Sequence, residues 1–346
     1  MNPLKSFASD NYAGVLPEIM EALHQANYAH DRAYGADEIT QHARELFKQV
    51  FDANVDVYFV FNGTGANILS ISAATQSYNS VLCADISHIY NDESSAPETF
   101  TGCRFFPLKS NNSGKLEVPV IQERLIRKGD VHYPQTKLLS LTQSTEYGTV
   151  YRPDEIKEIS KLAKEHDIFL HMDGSRFFNA AAGLNCDLRD ISTYVGVDIL
   201  SLGGTKAGMM YGEAVVVFNK KLSEHIAYKQ KQLIQLASKT RFIAAQFDAM
   251  LRNELWRTAA NHANAMAQLL YSELTKYPKI TITRPVEANV VFAEMPADWI
   301  PQLQEKFPFY VWKESTNEVR LMCAFDTNEG DIQAFSNAIS AYSGII

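Results

Sequence analysis

The sequence predicts an α/β protein built on a mainly parallel sheet, with a smaller α+β part at its C-terminal end. Three observations carry this. Over about the first 220 residues, short apolar runs of strand length alternate with amphipathic helical patterns. Residues 222–276 then read as helical with few turn signals, and beyond them strand-length runs return beside helices. Strands separated by helices at this spacing are joined by crossovers, which set neighbours parallel and cover both faces of the sheet.

The first strand is expected at residues 55–61, followed by turn glycines and a helix over 64–74. Further strands are expected at 81–84, 138–141, 168–172, 199–202 and 215–218. Pro153–Glu165 is a helical pattern with Ile156, Ile159, Leu162 and Ala163 on one face and Pro at the first turn, where its missing N–H costs nothing. In the smaller part, strands are expected at 280–283, 290–294 and 319–322, with helices near 299–306 and 331–342. A helix is expected to join a large domain, residues 1–245, to a small one, residues 246–346. No repeat or low-complexity segment interrupts this plan.

Composition narrows the function classes. With 46% hydrophobic and 21% charged residues the chain is ordinary for a soluble globular protein. A formal charge of −8 argues against a nucleic-acid partner, which wants clustered Lys and Arg. Cys83, Cys103, Cys186 and Cys323 form no CxxC pair, so neither a zinc site nor a redox motif is indicated. No apolar run approaches the ~20 residues that span a bilayer, and no signal-like apolar stretch opens the chain. The expectation is a cytoplasmic enzyme with no metal and no membrane partner.

Four motifs carry chemistry. Asn62-Gly63-Thr64-Gly65-Ala66-Asn67 follows a strand and opens a helix, where free N–H groups bind phosphate. A dinucleotide turn is a rival reading, but Ile68 stands where its third glycine would be. A tight turn with no ligand is the plain structural alternative. His171-Met172-Asp173-Gly174-Ser175-Arg176 ends a strand, the place where ligands of open α/β sheets sit. Asp173 there could pair with a protonated pyridine nitrogen or merely cap a turn. Arg176 could grip a carboxylate with both arms of its fork or form a surface ion pair.

The third motif is Ser201-Leu202-Gly203-Gly204-Thr205-Lys206-Ala207-Gly208. A single lysine among small residues at a strand end can lose its water and form a Schiff base with an aldehyde, unless it simply sits in a mobile glycine loop. Asp173 lies 33 residues earlier (206 − 173), leaving one helix and one strand between the two. The fourth is Ser87-His88-Ile89-Tyr90-Asn91-Asp92-Glu93, whose imidazole could stack on a flat ring, move a proton, or be structural.

In this order the motifs resemble the threonine aldolase and β-eliminating lyase family, pyridoxal-phosphate enzymes of the aspartate aminotransferase fold (fold type I). Ser9-Asp10-Asn11, Tyr34-Gly35 and Val319-Arg320-Leu321 extend the resemblance over nearly the whole chain. It implies a seven-stranded, mostly parallel sheet between helices, and an aldolase that cleaves β-hydroxy-α-amino acids to glycine and an aldehyde. Lys206 would hold pyridoxal 5'-phosphate, Asp173 would pair with its ring nitrogen, and His88 would stack on the ring. Gly63, Thr64 and Gly65 would bind the phosphate, with Arg241 helping from a neighbouring subunit, and Thr205 would contact the cofactor. Ser9, Arg176 and Arg320 would hold the substrate carboxylate, with Arg176 also close to the cofactor. Tyr34 would reach the site, and His132 would lie near the β-hydroxyl. The resemblance also implies a homodimer or homotetramer with shared sites.

One departure concerns substrate preference and side-chain stereochemistry. Where many threonine aldolases read Glu-Asn-Thr-His, this chain reads Thr142-Gln143-Ser144-Thr145-Glu146. The base is left open among His132, His88 and a bound water. A β-eliminating or transaminating enzyme would use the same lysine and aspartate, and a non-catalytic binding protein of this fold would dispense with one of them.

Overall fold

The computed structural model describes residues 6–343; residues 1–5 and 344–346, the ends of the two expected domains, lie outside the described residues. Seven strands form the large sheet: β1 Asp56–Val60, β2 Asn79–Ala84, β3 Arg104–Leu108, β4 Gln135–Thr142, β5 Phe169–Gly174, β6 Ile199–Gly203 and β7 Glu213–Val217. Their order is β1-β7-β6-β5-β4-β2-β3. β2, β3, β4, β5 and β6 pair in parallel, whereas β7 runs antiparallel to both β1 and β6.

Every expected strand of this sheet is present, and β3 is one the pattern did not announce. It is an edge strand with alternating exposure, and Arg104 and Pro107 interrupt its apolar run. An edge tolerates proline because one side of the strand has no ladder to feed. The fully buried strands β2, β6 and β7 read as continuous apolar runs because helices cover both faces.

A second, antiparallel sheet of order β10-β11-β9-β8 forms the small domain, from β8 Thr281–Ile282, β9 Val290–Glu294, β10 Tyr310–Lys313 and β11 Glu318–Met322. Here too the unannounced strand, β10, is a half-exposed edge. Residues 222–276 are broken into Ile226–Gln232, Arg241–Leu251 and Leu255–Leu274. Ile234, Asn253 and Glu254 adopt left-handed φ of +63°, +54° and +53° at the breaks. These residue types give no glycine or proline signal for a turn. Leu255–Leu274 spans both cores: Trp256, Ala259 and Ala260 pack with the large sheet, and Met266, Ala267, Leu270 and Leu274 with the small one.

The N-terminal segment is anchored from the other side. Phe7 is buried in the small core, its N–H donates to Pro308 O at 2.8 Å, and its carbonyl accepts from Met322 N at 2.8 Å. That anchor delivers Ser9 and Asp10 to the large domain, above the C-terminal ends of its strands.

Candidate active site

The site gathers at the C-terminal edge of the parallel strands, as expected of an open α/β sheet. The turn after β1 brings Asn62, the loop after β2 brings His88, β5 ends in Asp173, and β6 leads to Lys206. Antiparallel β7 begins at the same edge, so Glu213 pairs with Gly203 there. Between these ends lies a cavity of about 380 Å³ whose lining includes Gly63, Asn67, His88, Asp173, Thr205 and Lys206. The chain after β6 passes tightly: a Cβ on Gly203 would lie 2.5 Å from Ser175 O, so only glycine fits.

At one end of the cavity the helix Gly63–Ala74 starts. Asn62 caps it, its side-chain oxygen accepting from Gly65 N at 2.8 Å. Gly63 and Thr64 line the cavity, and as first-turn residues their N–H groups have no carbonyl of their own helix to bond. Gln235 backs this turn, its Oε1 accepting from Phe61 N at 3.0 Å.

Asp173 is 4% exposed. Its Oδ1 accepts from Ser175 N at 3.1 Å and its Oδ2 from Asn67 Nδ2 at 2.9 Å. The same Asn67 Nδ2 donates to Glu93 Oε1 at 2.8 Å, and Glu93 Oε1 also meets His88 Nδ1 at 2.9 Å. The Glu93 contact holds the His88 imidazole above the ordinary histidine value, against the opposing pull of burial. Within β5, His171 is fully buried between Ser140 Oγ (2.8 Å) and Ser201 Oγ (2.9 Å). Burial drives its pKa down to about 4, so this histidine is a neutral structural bridge.

Lys206 follows β6 in a short turn, with no side chain hydrogen-bonded to its amine among the described residues. Burial lowers the pKa of that amine and the Arg176 cation lowers it further, while Asp10, Asp173 and Glu213 pull the other way. Glu213 is fully buried and accepts the N–H of Gly204. Burial raises its carboxyl to about 7, against the bonds from Gly204 and Thr205. Thr205 Oγ1 in turn accepts from Gly212 N at 3.1 Å.

The cationic side of the site is built on an ion pair. Arg176 grips Asp10 with Nε at 2.7 Å and Nη2 at 2.8 Å. Burial works to raise the Asp10 carboxyl, but Arg176, Lys206 and the Asn289 amide outweigh it and hold it below the usual carboxylate value. Arg320 stands beside this pair. Its Nη2 donates to Ala8 O at 3.2 Å and its Nε is buried without a partner. Burial and the neighbouring Arg176 lower its pKa. Ser9 caps the short turn Asp10–Tyr12 by accepting from Asn11 N at 3.2 Å.

Of the expected residues, Gly63, Thr64, His88, Asp173, Thr205 and Lys206 line the cavity, Gly65 belongs to the capped turn beside it, and Ser9, Arg176 and Arg320 form the cationic cluster; Tyr34, Arg241 and His132 are in none of these. Tyr34 is 54% exposed, with its N–H on Ser238 O at 2.9 Å and its ring beneath Lys231. Arg241 opens the helix Arg241–Leu251 and its Nε has no partner. His132 is exposed in the loop before β4, its N–H on Asp130 Oδ1 at 2.9 Å, at the opposite edge of the sheet from Asp173 and Lys206. Conversely, sequence reasoning assigned no role to Asn67, Glu93, Asp10 or Glu213. The first three lie inside or beside quoted motifs, but nothing local says that Asn67 meets Asp173 or that Asp10 meets Arg176.

A sequence model of the β-eliminating lyases matches residues 6–298. The chain is 42% identical over 338 residues to a low-specificity L-threonine aldolase of a Pseudomonas species, covering 97% of each chain. The chain belongs to the β-eliminating lyase family. A low-specificity L-threonine aldolase of Pseudomonas aeruginosa is also 42% identical, over 98% of each chain. Among solved structures of β-eliminating lyase relatives, the threonine aldolase of Leishmania major superposes with a TM-score of 0.92 at 28% identity, covering 98% of this chain and 99% of that one.

Proposed function

We propose that the chain is a pyridoxal-phosphate-dependent aldolase, cytoplasmic and active as a dimer or tetramer. It would cleave L-threonine, L-allo-threonine and related β-hydroxy-α-amino acids such as phenylserine to glycine and an aldehyde. The observation that carries the reading is Lys206. Its desolvated amine faces the cavity shared with the buried Asp173 carboxylate, and free helix-start N–H groups lie at the other end. An amine to attach an aldehyde, a carboxylate for a pyridinium and donors for a phosphate fit pyridoxal phosphate, and a nucleotide would leave Lys206 without a task.

When bound, the cofactor supplies the electron sink that lets the Cα–Cβ bond open. In this reading the chain's own residues do the rest. Lys206 anchors the aldehyde, and its lowered pKa keeps more of the amine neutral and nucleophilic. Asp173, held by Asn67 and Ser175, keeps the ring nitrogen protonated. Gly63 and Thr64 hold the phosphate, with Thr205 at its side; Gly65, whose N–H is bonded to Asn62, shapes the turn instead. Ser9 and Arg320 take the substrate carboxylate, together with the edge of Arg176 that Asp10 leaves free. This clamp decides which bond at Cα stands perpendicular to the ring. His88, the histidine of the cavity lining, takes the β-hydroxyl proton. Tyr34 and Arg241 serve the site of a neighbouring copy.

The test is an absorption spectrum of the purified protein before and after adding glycine, with an assay of aldehyde release. A visible band that shifts with glycine, together with aldehyde formed from threonine or phenylserine, is the expected result. A protein that gains no band with pyridoxal phosphate overturns the cofactor reading. Pyruvate from serine without aldehyde from threonine overturns the aldolase in favour of β-elimination.

A further inference from the structure

The Glu93–His88–Asn67–Asp173 cluster goes beyond what the reaction assignment requires. Glu93 has a completely buried side chain, whereas that of His88 is 43% exposed. Nδ1 points at the buried carboxylate at 2.9 Å, so the open edge of the ring is the one carrying Nε2. Asn67 spends both amide hydrogens on carboxylates, at 2.8 Å to Glu93 and 2.9 Å to Asp173. Turning the amide over would place its oxygen against both of them. Its own Oδ1 is left buried without a partner, as is Glu93 Oε2. Unsatisfied buried polar atoms are rare, and one kept in place beside a cavity marks an arrangement maintained for the site.

We propose that Glu93 is a positioning residue that fixes the tautomer of His88. It holds the proton on Nδ1, so that Nε2 is the atom exchanging protons with substrate, and Asn67 locks this dyad to Asp173. This rests on the aldolase reading above. The substrate's β-hydroxyl O–H bond breaks as an Nε2–H bond forms. The electron pair left on oxygen becomes the aldehyde carbonyl as Cα–Cβ opens; the pair of the broken bond stays on the Cα side and takes the same proton back from Nε2 as glycine forms. The Glu93 carboxylate, 2.9 Å from Nδ1, balances the imidazolium that exists between the two transfers.

The charged groups facing His88 come from four elements. Glu93 follows its own short helix, Asp173 ends β5, Lys206 follows β6, and Glu146, after β4, accepts the His88 backbone N–H at 2.8 Å. Of these, Glu93 is the carboxylate bonded to the ring.

The experiment measures the protonation midpoint of His88 in the holoenzyme, from the pH dependence of its modification by diethyl pyrocarbonate read peptide by peptide in a mass spectrometer. Glu93→Gln keeps the shape and the accepting oxygen but removes the charge. The His88 midpoint should fall by about one to three pH units, the range for an opposite charge at this distance. kcat should fall while KM holds. Glu93→Asp restores the charge with a shorter reach and should recover part of both; it also serves as the test if the glutamine variant does not fold, through a smaller fall of the midpoint. A His88 midpoint unmoved by either substitution, in a protein that still releases aldehyde, overturns the dyad. A shifted midpoint where the unsubstituted holoenzyme itself releases no aldehyde overturns the aldolase reading and leaves the dyad in place.

Discussion

Replacing Arg176 with Met would test the ion pair that organises the cationic side of the site. Asp10 is 3% exposed, and Arg176 supplies two bonds of 2.7 and 2.8 Å. Only the Asn289 amide, at 3.2 Å, would remain on the carboxylate. Removing one partner of a buried pair leaves an uncompensated charge, which costs about 3–5 kcal/mol. The sign of the pH dependence follows. In the wild type the folded-state pKa of Asp10 is depressed, so its contribution is present above the unfolded value of 3.8 and is lost only as pH falls below it. Without Arg176, burial, the largest single influence on the carboxyl, is opposed by Lys206 and the Asn289 amide alone; the expected outcome is a folded-state pKa above 3.8, with stability lost as pH climbs through that raised value. The deficit of Arg176→Met should therefore be smallest well below pH 3.8, where Asp10 is protonated in both proteins, and largest at neutral pH. Asp10→Asn combined with Arg176→Met removes both charges and should recover much of the loss. Urea unfolding of the four proteins of this cycle at several pH values is the assay. A loss below about 1 kcal/mol at neutral pH, or one that does not grow with pH, would refute the reasoning.

Other outcomes follow from the same geometry. Lys206→Ala should abolish turnover and the lysine-linked visible band while leaving some cofactor bound, which a spectrum and an aldehyde assay check together. Arg320→Ala should raise KM for a β-hydroxy amino acid roughly ten- to hundredfold, because a charge-assisted bond contributes about 1.5–3 kcal/mol; an unchanged KM removes it from the clamp. Glu213 has its carboxyl raised to about 7 by burial, so it draws stability down as pH rises from the ordinary value of 4.5 through 7. Glu213→Gln should flatten that part of the stability profile, measured by chemical unfolding. His171 is depressed to about 4 by burial, so its neutral form adds stability that is lost as pH falls from 6.5 through 4. His171→Gln should weaken this acid sensitivity.

Much of the architecture was legible in the chain. Buried parallel strands announce themselves as apolar runs, and helices as periodic stripes, because both patterns follow from the local geometry of side chains about a backbone. Strand β3 escaped because an edge strand need not be apolar and proline is at home there, and β10 because its four residues, Tyr310–Lys313, are too short a run to announce a strand. The breaks at Ile234, Asn253 and Glu254 escaped because tertiary packing, not glycine, holds the left-handed turns.

The site divides the same way. Sequence alone determined that Gly63, His88, Asp173 and Lys206 follow strand ends, since each motif sits directly after an apolar run. A parallel sheet then brings such ends to one edge. Only the tertiary structure decided what their neighbours are. It set Asp10 against Arg176 across 166 residues and Asn67 against Asp173 across 106. It also left His132 at the far edge of its own sheet, because the loop before β4 opens on the side opposite the one where β5 and β6 end. Strand periodicity is a property of a few adjacent residues, whereas the charge state and free edge of a side chain depend on what packs against it. That is written in the fold's long-range contacts and in no short stretch of the chain.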